Sequence, residues 1–201
     1  EGATPIEDAG GLILFGVSTL AELSAAEAEN ILAAAAKRLG RRNSAKRRWL
    51  TEEFLRIVHK EMFGEVWSWA GRYRDAELNI GVAPHRIREE IAKLCGDAWF
   101  WGSEAKDPPS ALERACRIHH RLAWIHPFRN GNGRHARLIA DIYLKSHGEP
   151  MPIWPSKDIA SKGGVREEYL AALRSGDRGD FRPLMDLVSR FSANQREGPA
   201  V

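Results

Sequence analysis

His126-Pro-Phe128-Arg-Asn130-Gly131-Asn132-Gly133-Arg134, with Arg137 three positions on, joins two helical patterns through a glycine-opened turn. Upstream, Ser110 and Glu113 have capping-box spacing, and Leu112, Ala115, Ile118, Leu122 and Ile125 recur at helical intervals, delivering His126 at the helix end. Downstream, Leu138-Ile-Ala-Asp-Ile-Tyr-Leu-Lys145 reads as a second, amphipathic helix, so the glycines sit at its N-terminus. Gly131 and Gly133 strip side chains from the turning backbone, which lets successive N–H groups crowd round an anion. That helix end carries unsatisfied donors and about half a positive charge. Arg134 and Arg137 share a helical face there, where the macrodipole disfavours cations, so a polyanionic ligand is expected to offset the conflict. An imidazole with a pKa near 6.5 just before the turn can accept a proton at neutral pH. His126 is thus the candidate base, and the local chemistry points to phosphoryl or nucleotidyl transfer.

The rest of the chain extends the helical reading. Thr19 and Glu22 form a capping box for a helix carrying Leu20, Leu23, Ile31, Leu32, Ala35 and Leu39, with Gly40 as its stop. Seven Lys and Arg then fall between Lys37 and Arg48, a solvated basic linker or a grip for nucleic acid or an acidic partner. Thr51 opens a second helix ending near Gly64. Residues 72 to 83 change character, and Arg72-Tyr-Arg74 with Leu78-Asn-Ile-Gly-Val82 reads as a short β-hairpin. Pro84 opens a further helix, and two more are expected near 164–174 and 181–192. The expected class is all-α, a helical bundle with one short hairpin. Residues 1–48 form an arm, first helix and linker, 49–192 the catalytic domain, and 193–201 a frayed tail.

Composition narrows the class. Apolar residues make up 43% of 201, charged residues 28%, and the net charge is +3, as in ordinary globular domains that favour anionic ligands without requiring nucleic acid. Cys95 and Cys116 make no zinc or redox pattern and are expected as buried thiols in a reducing compartment. No secretory signal or spanning segment is legible, so a cytoplasmic location is expected, with Glu1 marking a trimmed start. His119 and His126 lie about 10 Å apart along a helix and cannot share one ion, so His119 and His120 are read as packing or support. His135 is expected at the surface or the ligand mouth, and His59 gives no usable pattern.

The motif His126-Pro-Phe128-x-x-Gly131-Asn132-Gly133-Arg134-x-x-Arg137 resembles the signature of the Fic/Doc family, specifically at the motif and more loosely over residues 50 to 190. The whole chain, opening included, is most similar to the small bacterial branch called mobile mystery protein B. The resemblance implies transfer of AMP from ATP to a hydroxyl of a protein target, with His126 removing the hydroxyl proton. It implies that Gly131, Asn132, Gly133, Arg134 and Arg137 hold the nucleotide, Arg134 also acting in catalysis. Asn132 can equally cap the helix. Family members typically carry a carboxylate at position 130 that binds magnesium; Asn130 departs from this and offers a weaker ligand for a hard cation. Altered members transfer a phosphoryl or another nucleotidyl group, which stands as the alternative, beside a non-catalytic nucleotide- or nucleic-acid-binding regulator.

The family also implies a flap at the hairpin that pairs with the target backbone, placing Leu78, Asn79 and Ile80 at the contact. An inhibitory glutamate pairing with the second motif arginine is a family feature. Glu29, followed by Asn30, is the candidate here, although Ala25 stands where Ser or Thr would be required. An antitoxin-like partner protein is the other source of such a glutamate. A homo-oligomer is compatible with the sequence, and a membrane partner is not expected.

Overall fold

The computed structural model describes residues 10–40, 49–161 and 163–193. Among these, the chain forms helices α1 (Leu20–Leu39), α2 (Glu52–Phe63), α3 (Ile87–Ser103), α4 (Ala111–Ile125), α5 (Asn132–Ser146), α6 (Ser156–Ala160), α7 (Gly164–Gly176) and α8 (Arg182–Ala193). A single 3₁₀ turn, Pro84–Arg86, leads into α3. The basic residues 41–48 and the tail 194–201 lie outside the described residues.

The start signals act as the sequence implies. Thr19 Oγ1 accepts from Glu22 N–H at 3.3 Å, and the Glu22 carboxylate accepts from Thr19 N–H at 3.0 Å, closing both halves of a capping box. Thr51 and Ser110 cap α2 and α4 in the same way with their hydroxyls, at 3.1 Å each. The short α6 was not legible, because five residues show no helical period.

The pair α4 and α5 forms the centre, with α3, α7 and α8 packed against α4 and with α1 and α2 packed against α5. Every residue of α5 from His135 to Leu144 is buried, so it is enclosed on all sides and not amphipathic as its sequence implies. Arg137 and Asp141 create the polar pattern, but they face the protein interior. The first helix packs against α2 and α5. Leu23 and Ala34 enter the common core, and Arg38 and Lys37 both reach Glu61 of α2. Cys95 and Cys116 are buried thiols, and burial pushes Cys116 up to about 12. Among the described residues no helix is long and apolar enough to cross a membrane.

The expected hairpin is an irregular loop. Between residues 72 and 83 the only bridge pairs Tyr73 with Phe128 of the motif, and no ladder joins the loop to itself. The alternation is real, but its backbone groups bond elsewhere: Arg74 N–H to Pro127 O at 3.0 Å and Val82 N–H to Ile125 O at 3.2 Å. Leu78 and Ile80 are exposed on this loop.

Candidate active site

His126 terminates α4 in the left-handed conformation, φ 52° and ψ 58°, and is the one non-glycine residue with positive φ among those described. Its Nδ1 lies 3.3 Å from the Ala123 carbonyl, so Nδ1 carries the hydrogen and Nε2 keeps its lone pair. Burial, with the nearby Arg74 charge, holds the imidazole below its ordinary pKa, against the opposing pull of the Ala123 carbonyl. The ring is therefore neutral at pH 7 and able to accept a proton. The acid limb of the pH–rate profile is expected below 6.5, activity falling as His126 protonates. A kcat/KM profile with its acid limb at or above 6.5 contradicts this assignment.

The turn that follows is built as a rigid cradle. Phe128 is fully buried and stacks on His59 of α2 at 3.7 Å between ring centroids. His59 Nε2 donates to the Asn130 carbonyl and Nδ1 accepts from Gly71 N–H, both at 3.0 Å, which fixes a neutral tautomer. Burial pushes its pKa well down. Asn132 is also committed to the loop: its Oδ1 accepts from Phe128 N–H at 2.9 Å and its Nδ2 donates to Phe128 O at 2.8 Å. Both ends of the carboxamide bond Phe128, so the side chain closes the loop at the start of α5. His135 is not at the ligand mouth. It is buried, donates to Leu55 O at 2.9 Å, and is pushed down to about 4 by burial.

Gly131 adopts φ 78° at the N-cap of α5, and a Cβ there would lie 2.4 Å from the Phe63 ring. Gly133 remains open, its nearest neighbour being Arg137 Nη1 at 3.8 Å from where a Cβ would stand. The two motif arginines diverge around this end. Arg134 crosses to α1, where Nη1 meets Glu27 Oε2 at 2.5 Å, and its guanidinium lies over the Phe63 ring. Glu27 is itself held by Trp67 Nε1 at 2.7 Å. Arg137 is buried between the Trp154 and Tyr169 rings, 5.8 and 5.7 Å from their centroids. Trp154 also donates to both oxygens of Asp141, whose pKa burial raises to about 7. His119 Nε2 meets Tyr169 Oη at 2.9 Å and His120 Nε2 meets Asp177 at 2.9 Å, the supporting roles read for them.

Glu29 is exposed on α1, and the α1 carboxylate paired with a motif arginine is Glu27, on Arg134. Sequence reasoning missed Glu27, His59 and Arg74. Only Glu27 left a signal: it is one helical turn from Leu23 and two from Ala34, an acid on the buried stripe of α1.

Asn130 is exposed, and its Oδ1 accepts from Gly131 N–H at 2.6 Å. The side chain thus offers one neutral oxygen, already serving the turn. No group of three or more His, Cys, Asp or Glu residues able to hold a metal occurs among the described residues. This donor set does not fit a protein-held magnesium ion, which takes at least one carboxylate in most sites. Beside the motif, a groove of about 1140 Å³ runs between α1 and the 72–83 loop, lined by Leu23, Glu27, Trp69, Tyr73, Leu78 and Asn130.

The Fic/DOC family model matches residues 49–144, spanning α2 to α5 and the whole motif. Residues 49–144 are a Fic/DOC domain. The chain is 33% identical over 140 residues to protein adenylyltransferase fic-1 of Caenorhabditis briggsae, covering 67% of this chain and 26% of that protein. It is 41% identical over 95 residues to a uridine 5'-monophosphate transferase of Xanthomonas campestris, covering 45% of this chain and 17% of that protein. The chain thus spans about a quarter or less of these relatives. The solved Fic-1 fragment from C. elegans superposes with a TM-score of 0.68 at 24% identity, covering 92% of this chain and 52% of that one, a likeness of fold. In this Fic/DOC domain the match places α1 outside the family core, although α1 supplies Glu27 to Arg134.

Proposed function

We propose that the chain is a protein adenylyltransferase that moves AMP from ATP to a hydroxyl side chain of a protein target. The carrying observation is a neutral imidazole with its Nε2 lone pair unspent, set directly before a glycine-opened helix N-terminus flanked by two guanidiniums. The first N–H groups of α5, with Arg134 and Arg137, hold the triphosphate and take up charge in the transition state. His126 Nε2 removes the target hydroxyl proton as the hydroxyl oxygen bonds to the α-phosphorus. The bond from that phosphorus to the α–β bridging oxygen breaks, and pyrophosphate leaves. The exposed Leu78 and Ile80, with Asn79 between them, present the target along the groove. Relatives named protein adenylyltransferases, at 33% and 32% identity over 140 residues, support this reading.

A second reading, transfer of UMP or another phosphorylated group, is favoured by Asn130 and by the 41% identity to a uridine monophosphate transferase. Parallel reactions with α-labelled ATP and α-labelled UTP separate the two. Label on protein from ATP alone supports AMP transfer; label from UTP alone replaces it with the second reading.

Magnesium is proposed to arrive on the nucleotide, coordinated by phosphate oxygens and water, with Asn130 adding at most one neutral ligand. Asn130→Asp is then expected to lower the magnesium concentration needed for half-maximal rate. Identical magnesium titrations for both proteins would show that position 130 does not handle metal.

Control is proposed to run through Glu27. Its pairing with Arg134 withholds a phosphate ligand, so removing the carboxylate should free that ligand. Glu27→Gln is expected to raise modification and ATP affinity, whereas Glu29→Gln, on the exposed face, should do neither. No rise in activity from either change would discard a role for α1 in control and move the search to a separate antitoxin-like protein. A cytoplasmic location, and kinship to the mobile mystery protein B branch, complete the proposal.

A further inference from the structure

We propose that Arg74 is a positioning residue for the base: one guanidinium holds His126 in its left-handed conformation and seats the 75–82 loop against it. The inference rests on the transferase reading above only in taking His126 as the base. Arg74 is 6% exposed, and its acceptors are three main-chain carbonyls. Nε donates to His126 O at 2.8 Å, Nη1 to Ala76 O at 2.9 Å, and Nη2 to Val82 O. Its own N–H bonds Pro127 O at 3.0 Å, so Arg74 grips the carbonyls of two successive peptides, His126–Pro127 and Pro127–Phe128.

Two features make this grip more than an anchor. A non-glycine residue in the left-handed region is strained and persists only where its surroundings over-determine it. At His126 that determination comes from Arg74 on the carbonyl and from Leu122 O on the N–H, at 3.1 Å. Gly81 supplies the second feature. With φ 101°, it lies so close that a Cβ would stand 2.7 Å from both Arg74 Nη2 and His126 Cβ. The loop backbone therefore rides directly on the base, and the same guanidinium ties the loop's two ends, at Ala76 and Val82. The group that takes the proton and the segment that borders the target groove are held as one unit. Phosphate binding is separate, because the α5 end of the motif is fixed by Asn132 and His59. Lysine cannot substitute, since a compact ammonium does not span three carbonyls as a planar fork does.

The test uses the full chain with Arg74→Lys, and Arg74→Ala with and without added guanidinium ion. Arg74→Lys is expected to lower kcat roughly 10- to 100-fold while KM for ATP stays within about twofold. Guanidinium should restore part of the Arg74→Ala loss. The ring ¹H–¹³C resonances of His126, assigned by their disappearance in His126→Ala, should shift in Arg74→Lys while those of buried His59 and His135 stay in place. Unmoved His126 resonances, or a kcat loss matched by equal losses in ATP affinity and Tm, would overturn the proposal. If the wild-type chain transfers no nucleotide, the function reading fails, and the resonance shift still decides this one.

Discussion

His126→Ala is expected to lose transfer by roughly 10²–10⁴-fold while ATP binding is largely kept. The two effects separate because the imidazole and the phosphate cradle belong to different elements. His126 caps α4, whereas the proposed anion site lies at the first N–H groups of α5 and the arginines. Removing the ring leaves the Arg74 bonds to the main chain in place, since they use the carbonyl and not the side chain. Nucleotide titration by calorimetry, paired with transfer assays, reads both quantities. Undiminished protein modification by the variant would refute the mechanism.

Gly131→Ala should have the opposite profile, with nucleotide binding and stability lost together. An alanine at φ 78° is strained wherever it stands, and here its Cβ would also sit 2.4 Å from the Phe63 ring. Phe63 is fully buried and carries Arg134 on its face, so relief by moving the ring would shift the arginine as well. A destabilisation of about 2–4 kcal/mol is expected from left-handed strain and overpacking combined. Urea unfolding with ATP titration checks it, and a variant with unchanged midpoint and affinity would show that the loop has slack the geometry denies.

The motif was legible because its chemistry is local. A left-handed N-cap calls for glycine, the proposed anion site for open N–H groups, and the proposed base for a histidine at the helix end; sequence neighbours supply all three. The capped helices were legible for the same reason, each start being written within four residues. What escaped depends on elements far apart in the chain. His59 lies 71 positions from the carbonyl it holds, and nothing near it in sequence marks that acceptor. The 72–83 alternation implied a ladder, but Arg74 takes carbonyls that strands would have shared, so a side chain replaces a pairing partner. Glu29 was chosen by motif spacing, while the helical phase set by Leu23 and Ala34 turns Glu27 inward and Glu29 to solvent. His135 looked like a mouth residue because α5 carries enough polar groups to mimic an exposed face.

The central claim is that the α-phosphate, with its nucleoside, is what moves. Purified wild-type chain and His126→Ala should be incubated in parallel with bacterial lysate and ATP labelled on either the α- or the γ-phosphate. Protein-bound label from α-labelled ATP alone, absent with His126→Ala, is the predicted result; label retained only from γ-labelled ATP would mean phosphorylation and contradict it.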